Sequence, residues 1–171
     1  MYIEGGGRVI DSKIEKCGKR LYGLCLSLCR NPDHAQDLYQ ETWLRVIQKL
    51  DQYDNRLEFE GWLTRICVNL YRDQLRKRNR NRIFDGFSTR EEKDALLESI
   101  PAKEKEDHRD LHQAVGRLPD KLRITVLLYY FRDLDIQSTA AALGVPPGTV
   151  KSRLHKAKKL LKEVMQDEIE F

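Results

Sequence analysis

The chain has 171 residues, of which 31 are basic and 27 acidic, with a net charge of +4, and this length suits one domain of ordinary size or two small ones. No apolar run approaches the roughly 18 residues of a membrane helix, and no basic start precedes a hydrophobic segment, which excludes a membrane span and a secretory signal. We therefore expect a cytoplasmic protein that makes no membrane contact of its own.

The first half of the chain predicts three helices. Apolar side chains at helical spacing predict the first over 11–28, after seven residues with three consecutive glycines that we expect to be loose. The second is expected over 33–50, with Asp33 as its N-cap. After a polar loop at 51–58, the third begins near Phe59 and runs into an arginine-rich tail. The positions of the second helix expected to face the core are Ala35, Leu38, Trp43, Val46, Ile47 and Leu50.

The second half predicts a linker followed by further helices. From 79 to 107 periodicity weakens and charge dominates, which is typical of a linker. Helical order returns over 111–118, and a further helix opens at Pro119. Two short helices then flank the corner 144–148, each with its own apolar stripe. Two such helices joined by a turn of a few residues including Gly form a helix-turn-helix, whose second helix enters the DNA major groove.

The sequence therefore predicts an all-α fold. Two small helical domains are joined by a flexible linker, and the second domain contains the helix-turn-helix. The expected boundaries are 8–82 for the first domain, 83–108 for the linker and 109–166 for the second domain.

Charge is strongly segregated along the chain. Residues 65–82 contain seven bases and one acid, a net charge of +6, whereas 83–110 contain nine acids and five bases, a net charge of −4. The last predicted helix has six bases and no acid between 149 and 162. Two basic blocks around an acidic spacer predict two contacts with a polyanion.

The sequence lacks the residue constellations of an enzyme. It shows no Ser/His/Asp set, no glycine-rich phosphate loop and no paired carboxylates, so we expect no catalytic residue and no cofactor. The four cysteines have no C-x-x-C spacing, and Cys17 and Cys25 share an apolar stripe, as small buried hydrophobes do. A metal site of Cys25, Cys29 and His34 and a redox role for Cys25 and Cys29 stay open as alternatives.

Three motifs resemble those of one family. Residues 37–45, DLYQETWLR, are similar to its D-L-x-Q-E-T-F-L-R signature. Residues 59–76 match F-x-x-W-L-x-R-I-x-x-N-x-x-x-D-x-L-R, and residues 144–154 match G-x-P-x-G-T-V-K-S-R-L. These are the marks of extracytoplasmic-function (group 4) sigma factors of bacterial RNA polymerase, within the sigma-70 family. The resemblance covers about 15–82 and 109–162.

The resemblance implies a polymerase-binding surface on the second helix. In the family, the face that bears the first motif docks on a coiled coil of the largest polymerase subunit. Here that surface is assigned to Asp37, Leu38, Gln40 and Glu41. The three polar residues are acceptors suited to Arg and Lys of a partner, and Leu38 is the expected apolar anchor, with Trp43 as a second candidate. Ordinary surface acids are the alternative.

The resemblance also implies that the first domain reads the promoter −10 element as a single strand, with one base flipped into a pocket between the loop and the third helix. The residues assigned to this strand are Tyr53, Asp54, Asn55, Arg56, Arg65, Asn69, Arg72, Asp73, Arg76 and Lys77. Asn69 suits a base edge and Tyr53 offers a stacking surface. Asp54 can accept a bond from a base amino group. The alternatives are a solvated acid for Asp54 and core packing for Tyr53 and Trp62, which we favour for Trp62.

The resemblance places the second helix of the helix-turn-helix in the major groove of the −35 element. The positions that face DNA are Gly148, Thr149, Lys151, Ser152, Arg153, His155 and Lys156. Lys151 and Arg153 can reach guanine edges or phosphates, and both options stay open. Thr139 stands where the family usually has a large aliphatic residue, which predicts looser packing of the first helix of the motif.

The sequence is thus expected to encode a sigma factor that binds core RNA polymerase and directs initiation at promoter DNA through its −10 and −35 elements. The resemblance further implies an anti-sigma partner that holds both domains. The alternative is a stand-alone helix-turn-helix regulator, which would bind a specific duplex without polymerase. The second and third helices, with their two family motifs, argue against it.

Overall fold

The structure, a computed structural model, describes residues 4–56, 58–84 and 109–167. The chain divides into two units, Met1–Ser99 and Ile100–Phe171. Within the described ranges all regular structure is helical, so the predicted all-α fold with two helical domains is confirmed. Residues 85–108, most of the predicted linker, lie outside the described ranges. None of the helices described combines the length and apolar character required to cross a bilayer.

The first unit contains three long helices. They are α1 (Glu4–Cys29), α2 (Pro32–Gln48) and α3 (Phe59–Phe84), with a 3₁₀ turn at Leu50–Gln52 after α2. The third helix begins at the predicted residue. The expectation that the first seven residues are loose was wrong for residues 4–7, which belong to α1. Each glycine costs a helix about 1 kcal/mol relative to Ala, but the buried side chain of Ile10 holds this end of α1 against the core.

The junction between α1 and α2 is closed by caps. Arg30 adopts a left-handed conformation with φ of 57°, and its N–H donates to the Leu26 carbonyl at 2.8 Å. Asn31 caps α2, because its side-chain oxygen accepts from the backbone N–H of His34 at 2.9 Å. The prediction of Asp33 as the cap was therefore wrong. Asp33 lies in the first turn, where its carboxylate interacts favourably with the helix dipole.

The core of the first unit is a leucine-rich contact between the three helices. Its fully buried side chains include Leu21, Leu24, Leu28, Leu38, Val46, Leu63 and Val68. Cys25 and Cys67 are also buried, with 3.7 Å between their Sγ atoms. The hydrogen bond with Cys67 and burial both raise the pKa of Cys25, which keeps this thiol neutral. Cys25 is thus a small buried hydrophobe as predicted, whereas Cys17 is half-buried. Among the described residues no three side chains form a metal-binding group.

The second unit contains shorter helices. They are α4 (Arg109–Arg117), α5 (Asp120–Val126), α6 (Ile136–Leu143) and α7 (Pro147–Asp167), and a π-helical turn at Leu127–Phe131 extends α5. The side chains from Leu122 to Leu128 are all buried, so α5 is the central helix of this unit. Thr139 of α6 is fully buried, and its hydroxyl donates to the Leu134 carbonyl at 3.4 Å.

The corner of the helix-turn-helix is built by local chemistry. Asp135 caps α6 by accepting from the N–H of Ser138 at 2.6 Å. Gly144 ends α6 with φ of 63°, a conformation that glycine adopts at little cost. The N–H of Val145 then donates to the Ala140 carbonyl at 3.1 Å, which closes the C-terminal cap. Helix α7 packs through the fully buried side chains of Val150 and Ala157, and its polar residues are left outside.

Candidate polymerase and nucleic-acid interfaces

One side of α2 is exposed and combines polar with apolar side chains. Asp37, Gln40 and Glu41 are exposed there. Leu38 is fully buried, as the apolar periodicity of α2 predicted, so this structure leaves no surface of Leu38 exposed to a partner, and its role as an anchor stays a prediction. Trp43, the second candidate anchor, is also buried. Both belong to the buried residues of α2, which pack on the neighbouring helices.

The apolar part of this exposed side consists of two residues. Leu44 is 60% exposed and Ile47 is 53% exposed, so the prediction that Ile47 faces the core was wrong. Their spacing from Gln40 is four and seven residues, which places all three along one face of the helix. We call this surface the α2 face; its residues are Asp37, Gln40, Glu41, Leu44 and Ile47.

Glu41 of the α2 face also binds α3. The side-chain amide of Gln74 donates to its carboxylate at 3.1 Å. This contact joins α2, which carries the acidic motif, to α3, which carries the arginine-rich tail. Position 74 is a variable position of the family motif at 59–76, and no spacing rule in the sequence pairs it with Glu41.

An aromatic cluster surrounds the start of α3. The ring centroids of Tyr53 and Trp62 are 4.9 Å apart, and those of Tyr53 and Phe59 are 5.4 Å apart. The ammonium of Lys13 lies 4.6 Å from the Phe59 centroid. Phe59 is buried, whereas Tyr53 and Trp62 are half-buried. Each of the latter two rings thus packs on the cluster and keeps part of its surface available to a ligand.

Asp54 and Arg56 form a clamp within the loop before α3. The closest guanidinium nitrogen of Arg56 lies 2.7 Å from an Asp54 carboxylate oxygen, and the Arg56 backbone N–H donates to the same carboxylate at 3.0 Å. The Arg56 side chain, followed by its N–H, lowers the pKa of Asp54, which therefore stays ionised at neutral pH. A base amino group bound by Asp54 would share the carboxylate with Arg56. The aspartate two residues before an arginine is the sequence signal for this clamp.

Helix α3 presents a polar face that is rich in arginine. Arg65, Asn69 and Arg76 are exposed and Arg72 is half-buried, with spacings of three or four residues that align them along one face. Asp73, also exposed, pairs with Arg76 at 2.9 Å. The remaining residues assigned to the −10 strand, Asn55 and Lys77, are exposed as well.

A groove of about 570 Å³ separates the exposed sides of α2 and α3. We call it the basic groove; it is lined by Glu41, Arg45, Leu70, Asp73, Gln74, Arg76, Lys77 and Arg80. Four of these residues are cations and two are carboxylates. The spacing of residues along each helix does not reveal the groove, because it depends on how α2 and α3 pack.

Helix α7 leaves one basic face outside the second unit. Among the residues assigned to the −35 element, Gly148, Lys151, Ser152, His155 and Lys156 are exposed, and Thr149 and Arg153 are half-buried. The hydroxyl of Ser152 donates to the Thr149 carbonyl at 3.0 Å. All seven residues thus lie in the first three turns of α7.

Two aromatic side chains of the second unit are exposed and were missed from the sequence. Tyr130 and Phe131 lie in the π-helical turn, and the Tyr130 ring contacts Tyr129 edge to face at 4.9 Å. π-Helical turns occur frequently at functional sites. An aromatic pair that is exposed on a helix end is typical of a surface that a partner covers.

Comparison with known proteins identifies both units. The family model for Sigma-70 region 2 matches residues 14–81, and that for Sigma-70, region 4 matches residues 108–161. The chain is 32% identical over 144 residues to the RNA polymerase sigma factor SigV of Bacillus subtilis, covering 82% of this chain and 81% of SigV. It is 34% identical over 160 residues to the ECF RNA polymerase sigma factor SigE of Mycolicibacterium smegmatis, covering 91% of this chain and 61% of SigE.

Two solved structures of protein complexes contain a chain with the same fold. The sigma factor RpoE of Bartonella quintana, solved with the anti-sigma factor NepR, matches with a TM-score of 0.74 and 25% identity over 94% of this chain and 98% of RpoE. CnrH, solved with the cytosolic domain of CnrY, matches with a TM-score of 0.69 and 21% identity over 95% of this chain and 91% of CnrH. The similarity to CnrH, at 21% identity, is evidence for the fold alone.

Proposed function

Since the chain belongs to the extracytoplasmic-function sigma factors of the sigma-70 family, we propose that its two units divide promoter recognition between them. The chain acts by binding core RNA polymerase and directing transcription initiation, and it is not an enzyme. The first unit docks on polymerase through the α2 face and holds the −10 strand along α3. The second unit binds the −35 duplex through α7. The observation that carries the proposal is the pairing, on adjacent helices, of an exposed acidic and apolar face with an arginine-rich face.

The α2 face has the composition of a docking surface. Leu44 and Ile47 are exposed apolar side chains, which gain free energy when a partner removes them from water. Asp37 and Gln40 lie beside them as acceptors for Arg and Lys of the partner. An apolar centre inside a polar rim is the arrangement in which a few residues supply most of the binding energy.

In this proposal α3 holds the backbone of the −10 strand, and residues in the first half of α3 and in the loop before it read the bases. Arg65, Arg72 and Arg76 bind phosphates, which position the strand without reading its sequence. Asn69 lies on the same face and presents a donor and an acceptor to a base edge. Tyr53, whose ring is only partly covered by the aromatic cluster, supplies a surface on which a base stacks.

Run-off transcription tests the proposed function directly. Core polymerase mixed with the chain is expected to start transcripts at defined positions on genomic fragments, and core polymerase alone is not. A stand-alone regulator is the second candidate, since the helix-turn-helix of the second unit is complete by itself. It predicts that the isolated chain binds a specific duplex as tightly as the chain does together with core polymerase, which a gel shift measures.

We expect Asn69→Ala to reduce transcription and to relax base choice at one position of the −10 element. The physical reason is the loss of the side chain that contacts a base edge, which typically costs roughly 1–3 kcal/mol. Initiation rates on a set of promoters with single substitutions in the −10 element measure this change.

The control for Asn69→Ala is Asn79→Ala, which removes an exposed amide from a position of α3 that is not assigned to the −10 strand. It should leave the preference profile at that same base position unaltered. Binding of both variants to core polymerase is measured in parallel. If Asn69→Ala weakens polymerase binding as much as it weakens transcription, Asn69 has no specific role in reading the strand.

Lys151→Ala is expected to weaken use of the −35 element, because Lys151 is exposed in the second turn of α7, where that helix would enter the major groove. A base contact predicts a loss of roughly 1–3 kcal/mol at one base pair, and a phosphate contact predicts uniform weakening and a salt slope smaller by about 1. Binding to −35 variants at several salt concentrations distinguishes the base contact from the phosphate contact.

Lys159→Ala is the control, since Lys159 lies two turns further along α7, with its ammonium 4.0 Å from the carboxylate of Glu163. Equal responses of the two variants would remove Lys151 from the DNA contact.

An anti-sigma factor is the proposed regulatory partner. RpoE of Bartonella quintana, 25% identical to this chain, was solved in complex with the anti-sigma factor NepR. Each unit of this chain exposes its own apolar pair, Leu44 with Ile47 and Tyr130 with Phe131. A partner that covers either pair would compete with other proteins for that surface.

A further inference from the structure

The basic groove contains cations that the proposed function leaves without a role. Arg76, the last residue of the family motif, and Lys77, which follows it, are assigned to the −10 strand. Arg45 of α2 and Arg80 of α3 line the same groove, although neither is assigned to a ligand. Four cations from α2 and α3 therefore surround the groove. The proposed function assigns a ligand to Arg76 and Lys77 but not to Arg45 and Arg80.

The two carboxylates of the groove leave half of this positive charge uncompensated, a net charge of about +2. Glu41 accepts from Gln74 at 3.1 Å, and Asp73 pairs with Arg76 at 2.9 Å. In the part of the chain that the structure describes, no carboxylate pairs with Arg45, Lys77 or Arg80. Among the described residues, the groove therefore has a net positive charge and three cations without a carboxylate partner, which attract an anion.

The dimensions of the groove suit a polyanion rather than a single small anion. Its lining on α3 extends from Leu70 to Arg80, which is roughly 15 Å at 1.5 Å per residue. Lys77 and Arg80 are separated by roughly 4.5 Å along the helix axis, which is comparable to the rise of about 3.4 Å per nucleotide of one strand along the axis of duplex DNA. Neighbouring phosphates of a strand can therefore contact successive cations of the groove.

Arg45 is better suited to this groove than to the polymerase interface. The α2 face is acidic and apolar, so its partner is expected to present Arg or Lys, and these repel a guanidinium. Across the groove from Arg45, the arginine-rich helix would hold DNA, whose phosphates attract it. The charge of each neighbouring surface thus directs Arg45 toward nucleic acid.

We propose that the basic groove binds two successive backbone phosphates of promoter DNA, and that Arg45 is a phosphate ligand together with Lys77 and Arg80. This inference rests on the proposed function, since it requires promoter DNA along α3. In this proposal α2 contacts polymerase through the α2 face and contacts DNA through Arg45, which lines the basic groove.

The salt dependence of promoter binding tests the inference. The complex of the chain with core polymerase is titrated with promoter DNA between 50 and 200 mM salt, a range over which phosphate contacts strongly affect affinity. For Arg45→Ala, we expect the slope of log affinity against log salt to shrink by about 0.7–0.9, the value for one lost phosphate contact. Arg80→Ala should give the same result, and Arg45→Lys, which keeps the charge, should retain the slope.

The matched control is Lys19→Ala, which removes one exposed positive charge from α1, outside the groove. Its slope should equal that of the unchanged chain. Two DNA fragments distinguish the source of the phosphates. A smaller slope for Arg45→Ala only on a fragment with an unpaired −10 strand assigns the groove to single-stranded DNA, and a smaller slope on an intact duplex too assigns it to the duplex.

The inference is overturned if Arg45→Ala keeps the slope of the unchanged chain on both fragments. It is also overturned if the variant loses affinity for core polymerase while the slope is unaffected, since Arg45 would then belong to the docking surface. Failure of the proposed function looks different. In that case the unchanged chain does not direct initiation in the run-off assay.

Discussion

Replacing Leu44 with Asp should weaken binding of the chain to core RNA polymerase by at least roughly 2 kcal/mol, about a thirtyfold rise in Kd. Leu44 is 60% exposed and occupies the centre of the α2 face. In the complex, a carboxylate at this position would be desolvated among apolar groups without a partner. In the free chain it stays in water, so the free energy of unfolding should change little.

Binding of labelled variants to core polymerase measures this effect, and Ser12→Asp is the control. Ser12 is exposed on α1, outside the α2 face, so the same new charge there should leave the Kd nearly unaltered. Transcription from a cognate promoter should fall with the Kd and recover when core polymerase is in excess. An unaltered Kd for Leu44→Asp would remove the α2 face from the polymerase interface.

Leu38→Ala should act on stability instead, lowering the free energy of unfolding of the first unit by about 2–5 kcal/mol. Leu38 is fully buried between helices, so its truncation removes apolar contacts and leaves a cavity. The chain has two tryptophans, Trp43 and Trp62, both in the first unit. Their fluorescence during urea denaturation therefore reports the unfolding of that unit.

The comparison variant for Leu38→Ala is Ile47→Ala, which removes an exposed apolar side chain from the same helix. Its effect on unfolding should stay within about 0.5 kcal/mol. The molecules of Leu38→Ala that remain folded should bind core polymerase with the Kd of the unchanged chain. If Leu38→Ala unfolds at the same urea concentration as the unchanged chain and loses polymerase affinity, Leu38 is a surface anchor after all.

The elements that local chemistry controls were predictable from the sequence. Helix α3 begins at Phe59 as expected, and the helix-turn-helix corner has Gly144 at its left-handed position. The buried positions Val150 and Ala157 of α7 also follow from periodicity. In each case the outcome depends on residues within one or two turns, because a helix repeats every 3.6 residues and few residues other than glycine tolerate a positive φ.

The orientation of α2 was decided by the tertiary structure. Its apolar residues occur on both sides of the helix, with Leu38 and Val46 on one and Leu44 and Ile47 on the other, so periodicity alone does not identify a single buried stripe. Packing against α1 and α3 buries the first pair and exposes the second. The family motif predicts that α2 docks on polymerase, and the apolar anchor that it assigned, Leu38, is buried.

The three-dimensional arrangement also decided which charges meet. By itself, the sequence determined an all-helical chain in two units, the motifs of its family and two basic segments. Only the packed structure shows that Gln74 binds Glu41 and that Arg45 lines a groove with Lys77 and Arg80. The physical reason is that helix formation depends on neighbours along the chain, whereas a groove depends on the register and angle at which separate helices pack.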